Sequence, residues 1–130
     1  MFDNTDSKFI WKNGEFQKWD DSTVHLMSHT LNYGTGAFEG VRAYKTDKGP
    51  AIFRLEDHTQ RLFDTAEKID IKIPYTKAEL NNVQKKIFVQ NNLDEGYIRP
   101  IVYLGAESLG IRALDLSVNV AVAAWEGSSY

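Results

Sequence analysis

The 130-residue chain contains no cysteine, only three prolines and three histidines, and neither a basic block nor a long apolar run. Without cysteine it has no disulfide, thiolate nucleophile or cysteine metal site, and that absence suits a reducing compartment. Lys and Arg total 15 against 18 Asp and Glu, mixed along the chain, so the net charge of −3 offers no cationic stripe for a nucleic-acid backbone. No apolar run approaches the roughly 20 residues that span a bilayer. The opening "MFDNTDSK" lacks the basic start and apolar middle of a secretory signal. A cytoplasmic protein with no nucleic-acid or membrane partner is the expectation. His25 and His29 are four apart and would share a face on a helix, but the surrounding glycines and β-formers argue against a helix there, and no metal site is expected. No Ser-His-Asp order or nucleophile elbow supports hydrolysis.

What the chain does have is 42% hydrophobic and 12% aromatic residues. That is enough for one domain that withdraws roughly two-thirds of its unfolded surface from water. "FIWKNGEFQKW" reads as an opening hairpin, with Asn13-Gly14 as the two-residue turn. Residues 20 to 37 read as irregular and glycine-rich; "FEGVRAYKT" then reads as a strand, and "TDKGP" as a turn into the brief strand "AIFR". From Leu55 the period changes, and Leu55, Leu62, Phe63, Ala66 and Ile69 fall on one face of a helix with Arg61 at its edge, partly buried. Pro74 ends that pattern. Thr76 and Glu79 form a capping box for a second helix that runs to about Asn91 and buries Leu80, Val83, Ile87 and Phe88. Two longer strands close the chain, 96–105 and 116–125, joined by a loop at 106–115 long enough to suit a functional role. Pro100 lacks a ladder donor, which predicts an edge strand or a bulge at that point. Hairpin, strands, two helices and strands add up to an α+β domain: a mainly antiparallel sheet covered on one face by two helices.

The stretch "SHTLNYGTGAFEGVRAY" holds Gly34, Gly36 and Gly40 among aromatics and charges. Its G-x-G-x-x-x-G spacing misses the dinucleotide fingerprint by one residue and does not sit between a strand and a helix, so a Rossmann site is rejected. On local evidence alone, a surface loop needing positive φ is favoured over a ligand site. Taken singly, Arg42, Arg61 and Arg99 each read as a structural ion pair before a fork for carboxylate or phosphate. Tyr33, Phe38, Tyr97 and Tyr103 likewise read as core or surface aromatics before pocket walls.

Taken together, "WKNGEF", "VHLMSHTLNYGTGAFEGVRAY", "KGPAIFRLEDHTQRLFDTA" and "YIRPIVYLG" closely resemble, in that order, the N-terminal domain of branched-chain amino acid aminotransferases. These are class IV, fold-type-IV pyridoxal-phosphate enzymes, and the resemblance covers roughly residues 9 to 125. The glycine stretch and "EDHTQRL" are its specific parts. The resemblance implies pyridoxal 5′-phosphate as cofactor, with Arg61 binding its 5′-phosphate. It implies a substrate pocket in which Tyr33 and Phe38 face the aliphatic side chain, Tyr97 donates a hydroxyl near the substrate carboxylate, Arg99 accepts glutamate's second carboxylate, and Arg42 shares the same wall. The implied substrates are amino acids and 2-oxo acids, Leu, Ile or Val exchanging an amino group with 2-oxoglutarate. A homo-oligomer is expected.

In that family the lysine that forms a Schiff base with the cofactor lies in a larger C-terminal domain. None of Lys45, Lys48, Lys68, Lys72, Lys77, Lys85 or Lys86 matches it; they fall on polar helix faces, helix ends or a turn. A solvated lysine keeps a pKa near 10.4 and is a poor nucleophile. The 130 residues are therefore expected to be a single N-terminal domain without catalytic residues, unable to transaminate alone. The ending "AAWEGSSY" departs from the family's Trp-Gly-x-Tyr arrangement, so Trp125 and Tyr130 are given no pocket role. D-amino acid aminotransferases and aminodeoxychorismate lyases share the fold, but their glycine loop reads closer to Gly-Asp-Gly, where this chain has Thr35. A non-catalytic dimerisation or binding module is the reading from another class.

Overall fold

The computed structural model describes residues 7–112 and 115–127. The strands are β1 (Phe9–Lys12), β2 (Glu15–Lys18), β3 (Gly36–Phe38), β4 (Val41–Thr46), β5 (Gly49–Ile52), β6 (Gly96–Leu104) and β7 (Val118–Trp125). The helices are α1 (His29–Tyr33), α2 (Leu55–Lys68) and α3 (Lys77–Gln90), with a 3-10 turn at Trp19–Asp21. The strands form one antiparallel sheet in the order β2-β1-β7-β6-β4-β5, and β3 pairs with β6 beyond the end of β4.

Local chemistry accounts for most of these boundaries. Asn13 (φ 49°) and Gly14 (φ 98°) both take positive φ, as a tight two-residue hairpin requires. Asn13 also bonds Val120 through its N–H at 2.9 Å and its side-chain oxygen at 2.8 Å, which docks the hairpin on β7. The α3 capping box is complete: Glu79 N–H donates to Thr76 Oγ1 at 3.1 Å and Thr76 N–H to Glu79 Oε2 at 2.6 Å. At the other end of α3, buried Asn91 accepts from the Lys8 and Phe9 N–H groups at 2.8 and 2.9 Å and donates to the Phe9 and Ile87 carbonyls, tying the start of β1 to the helix.

Alternation along β6 and β7 sends Ile98, Val102, Val120, Val122 and Ala124 to one face, where Leu62 and Ala66 of α2 and Leu80, Val83, Ile87 and Phe88 of α3 close a single core. The α+β reading, with two helices over one face, is therefore the observed architecture.

Four local expectations are corrected. Residues 20 to 37 are not irregular throughout but hold the 3-10 turn, α1 and most of β3; α1 starts at His29, so His25 is not on it. Strand β5 ends at Ile52, short of Phe53 and Arg54. Ile69 sits on the predicted apolar stripe but is 40% exposed, because α2 has already ended at Lys68. Strand β6 is neither an edge nor a bulge at Pro100, which pairs with Val122. The Pro100 carbonyl accepts from Glu39 N–H at 3.1 Å. In an antiparallel strand a residue's nitrogen points to the same neighbour as its carbonyl. The missing donor therefore faces the carbonyl of Glu39, in register opposite Pro100, and that carbonyl accepts from Arg99 Nε at 3.0 Å instead.

Candidate functional site

The sheet face away from α2 and α3 carries the sequence-selected residues of β3, β4 and β6. Residues directly paired across neighbouring strands share a face. Register thus lines up Arg42, Tyr97 and Trp125, then Arg99 beside Ala123, then Phe38, Ile101, Ala121 and Lys12. Within that array the Arg99 guanidinium lies 4.5 Å from the Phe38 ring centre and 5.4 Å from that of Tyr97. Arg99 Nη2 donates to the Tyr97 hydroxyl at 3.1 Å. Tyr97 in turn packs against Trp125, the ring centres 4.9 Å apart and the planes tilted by 38°. A cation held between two rings and a hydroxyl can take a carboxylate without a rotamer search. Beside it, the small side chains of Ala121 and Ala123 leave a mostly apolar hollow of about 300 Å³, walled also by Ile10, Leu31, Ile101 and Arg99.

The glycine stretch is explained one residue at a time. Gly34 ends α1 with φ 73°, its N–H closing on the Thr30 carbonyl at 2.8 Å, a left-handed C-cap that favours glycine. Gly40 has another reason: a Cβ there would fall 1.9 Å from the Tyr97 hydroxyl. Only a bare Cα lets Tyr97 lie where it meets Arg99.

Between β3 and β4, Glu39 joins the two sides of the sheet. Its carbonyl accepts from Arg99 Nε at 3.0 Å, on the open face. Its side chain, 4% exposed, turns to α2. There Oε1 accepts from Arg61 Nε at 2.6 Å, and Oε2 accepts from Arg61 Nη2 at 2.9 Å and lies 3.0 Å from His58 Nδ1. Burial pushes the Glu39 carboxyl up, but the hydrogen bonds and charges of Arg61 and His58 outweigh it and hold it below its ordinary 4.5. The same bonds raise Arg61 above its ordinary value.

A depressed carboxylate stabilises the fold above the pKa of the unfolded chain and loses that contribution as pH falls through its folded pKa. The difference in melting temperature between the native chain and Glu39→Gln should therefore be present above the ordinary 4.5 and shrink as pH falls below it. A thermal-melt series across that range checks it, and a gap that widened on acidification would reverse the sign.

Of the remaining residues, Tyr33 stands apart on α1, its ring 4.6 Å from that of His29, and it does not line the hollow. Buried His29 is bonded to Thr35 Oγ1 at 2.6 Å and through Nε2 to the Ile111 carbonyl at 2.9 Å, which moors the 106–112 segment to the glycine stretch. Arg61, expected to be partly buried, has its side chain 67% exposed; it reaches the bend from the helix side. Tyr130 lies outside the described residues. Sequence reasoning missed Glu39 as the shared partner of Arg61 and His58. The available signals were a lone carboxylate inside an apolar, glycine-rich run and a histidine three residues before Arg61 on the same helix.

Comparisons with known proteins agree with one another. Residues 36–128 match the profile of the family described as amino-transferase class IV. The branched-chain-amino-acid aminotransferase of Pseudomonas aeruginosa is 50% identical over 121 residues, 93% of this chain and 39% of that protein. The crystal structure of the Escherichia coli branched-chain amino acid aminotransferase superposes with a TM-score of 0.92 at 38% identity, covering 95% of this chain and 41% of that one. That of the T.th. branched-chain amino acid aminotransferase, complexed with N-(5′-phosphopyridoxyl)-L-glutamate, does so at 0.90 and 41% identity, over 93% of this chain and 41% of that one. The chain thus spans about two-fifths of the length of the relatives it matches.

Proposed function

This chain belongs to the amino-transferase class IV family, and on that premise we propose that it is the N-terminal part of a branched-chain amino acid aminotransferase. In this reading it provides one wall of a pocket for Leu, Ile or Val and for glutamate, with their 2-oxo acids. The observation that supports it most is the placement of Arg99 between Phe38 and Tyr97 beside an apolar hollow. A transaminase must accept an aliphatic side chain and a carboxylate in turn at one place, and an apolar wall with a held cation at its rim does both. Phe38 gives the aliphatic contact. Arg99 takes glutamate's second carboxylate, Tyr97 supplies a hydroxyl near the substrate carboxylate, and Arg42 completes the same wall; Tyr33, outside the hollow on α1, is given no contact here.

The group that the family implies is pyridoxal 5′-phosphate, and the chain has a side chain suited to its phosphate. Arg61 is exposed enough to meet an anion, and Glu39 occupies its Nε–Nη2 edge, which leaves Nη1 outside that pair of bonds. When bound, the cofactor supplies the electron sink that loosens the amino acid's α-hydrogen. Lys45, Lys48, Lys68, Lys72, Lys77, Lys85 and Lys86 are all exposed, and solvated ammonium groups are not suited to carrying it; Lys12 is half-buried on the hollow, its Nζ 6.0 Å from the Tyr103 ring centre. In this reading, which follows the family resemblance, the lysine that carries the cofactor and the carboxylate that faces its pyridine nitrogen come from a further domain, and these 130 residues alone do not transaminate. The complete enzyme is read as a cytoplasmic homo-oligomer. Exposed Leu26, Leu31, Leu109 and Ile111 are available for subunit contact, and no described helix is long and apolar enough to cross a membrane.

Selectivity tests the pocket. In the complete enzyme, Arg99→Ala should lower kcat/KM for glutamate by about 100-fold and for leucine by less than about threefold, whereas Phe38→Ala should cost leucine about tenfold and glutamate less. Equal losses for both substrates in both variants would sink the assignment.

A further inference from the structure

We propose that Glu39 is a positioning residue for the cofactor's phosphate: it fixes the plane of the Arg61 guanidinium so that the free side of the fork meets the anion already oriented. This rests on the reading of Arg61 given above. Arg61 lies on the solvent side of α2 with its side chain 67% exposed, where an arginine is ordinarily free to sample many rotamers. Here two parallel bonds, Nε to Oε1 at 2.6 Å and Nη2 to Oε2 at 2.9 Å, leave it one plane.

The carboxylate can impose that plane because it is itself held at several points. Its main chain is pinned to β6 by N–H donation to Pro100 at 3.1 Å and by acceptance from Arg99 at 3.0 Å. Its second oxygen also faces His58 Nδ1 at 3.0 Å, from a residue on the same helix as Arg61. A buried carboxylate costs free energy unless it is paired and hydrogen-bonded. Glu39 meets both conditions through the one side chain assigned to the phosphate and the histidine beside it. Arg99, assigned to the substrate's second carboxylate, hangs from the same residue's carbonyl. One residue thus sets the orientation of an anion-binding guanidinium on each face of the sheet.

Electrostatics alone predicts the opposite result for a Glu39 substitution. Removing a negative charge next to the phosphate should tighten binding, since like charges repel. Positioning predicts weakening, because a Gln amide presents a donor to one of the two guanidinium donors and breaks the fork. The sign of the change therefore separates the two effects.

The experiment measures equilibrium binding of pyridoxal 5′-phosphate and of phosphate-free pyridoxal by the complete apoenzyme, from cofactor absorbance after dialysis. The native protein is compared with Glu39→Gln, Glu39→Asp and Arg61→Ala. Positioning predicts that Glu39→Gln weakens pyridoxal 5′-phosphate about tenfold and leaves pyridoxal within twofold, with a smaller loss of the same kind in Glu39→Asp, which keeps the charge one methylene short. If Glu39→Gln does not fold, Glu39→Asp decides: a phosphate-dependent loss of at least about threefold supports the proposal, and unchanged affinity overturns it. Unchanged or tighter phosphate-dependent binding in Glu39→Gln overturns it as well, as does equal weakening of both ligands, which marks a merely structural role. Arg61→Ala separates the two levels of the argument. If it leaves the preference for the phosphorylated ligand intact, the reading of Arg61 fails; if it removes the preference while Glu39→Gln does not, only the positioning role fails.

Discussion

Replacing Arg61 by alanine in the complete enzyme should weaken pyridoxal 5′-phosphate by about 100-fold or more, while Arg61→Lys should recover only part of that loss. Alanine removes the charge, the fork and the ability to reach across from α2. Lysine keeps the charge but offers a single ammonium, which cannot hold both Glu39 oxygens and an anion in one plane. The same change also leaves Glu39, 4% exposed, facing only His58 on its carboxylate. Alanine should therefore lower the melting temperature as well, and more so at neutral pH than at pH 4, where the carboxyl takes up a proton. Cofactor titration of the three proteins, with melts at both pH values, reads out both effects. Native-like affinity in Arg61→Ala would remove the phosphate from this residue.

The largest stability effect should come from Leu62→Ala, at about 3 kcal/mol, or more than 100-fold in the folding equilibrium. Leu62 is fully buried, at 0% exposure, in the core that α2 shares with the sheet. Truncation removes the transfer free energy of three carbons and leaves a void that fixed strands and a capped neighbouring helix cannot fill. Ile69→Ala, on the same sequence stripe but 40% exposed beyond the end of the helix, should cost less than about 1 kcal/mol. Urea unfolding of the 130-residue chain compares them directly. Equal costs would mean that α2 packs by its sequence period and not by the observed helix end.

The same pair of residues shows how far periodicity carries. Spacings of three, four and seven give the correct face of α2 as far as the helix lasts, because a regular backbone repeats its geometry every 3.6 residues. They misplace Ile69, because where a helix stops depends on what the next residues pack against. The Asn13-Gly14 turn and the Thr76/Glu79 box are readable for the same reason: each is a bond pattern closed within four residues. Pro100 is misleading in isolation. A missing donor is tolerated where another donor reaches the acceptor opposite it, and here the Arg99 side chain supplies the Glu39 carbonyl, on a segment far away in the chain.

The site divides along the same line. Residue types in the glycine stretch, in "HTQRL" and in "YIRP" are sufficient to select Phe38, Arg42, Arg61, Tyr97 and Arg99, and the family resemblance gives them roles. That Arg99 lies over Phe38 follows from the register of β3 on β6. That Gly40 has to be bare follows from a tyrosine hydroxyl arriving from a strand more than fifty residues later.

Short-range patterns and residue identity were thus enough for the helix faces, the caps, the hairpin and the family. Long-range packing was needed to turn Glu39 inward to Arg61 and His58 while its carbonyl holds Arg99. That outcome depends on how α2 lies over the step between β3 and β4, and a buried carboxylate takes whichever donors that packing brings within reach.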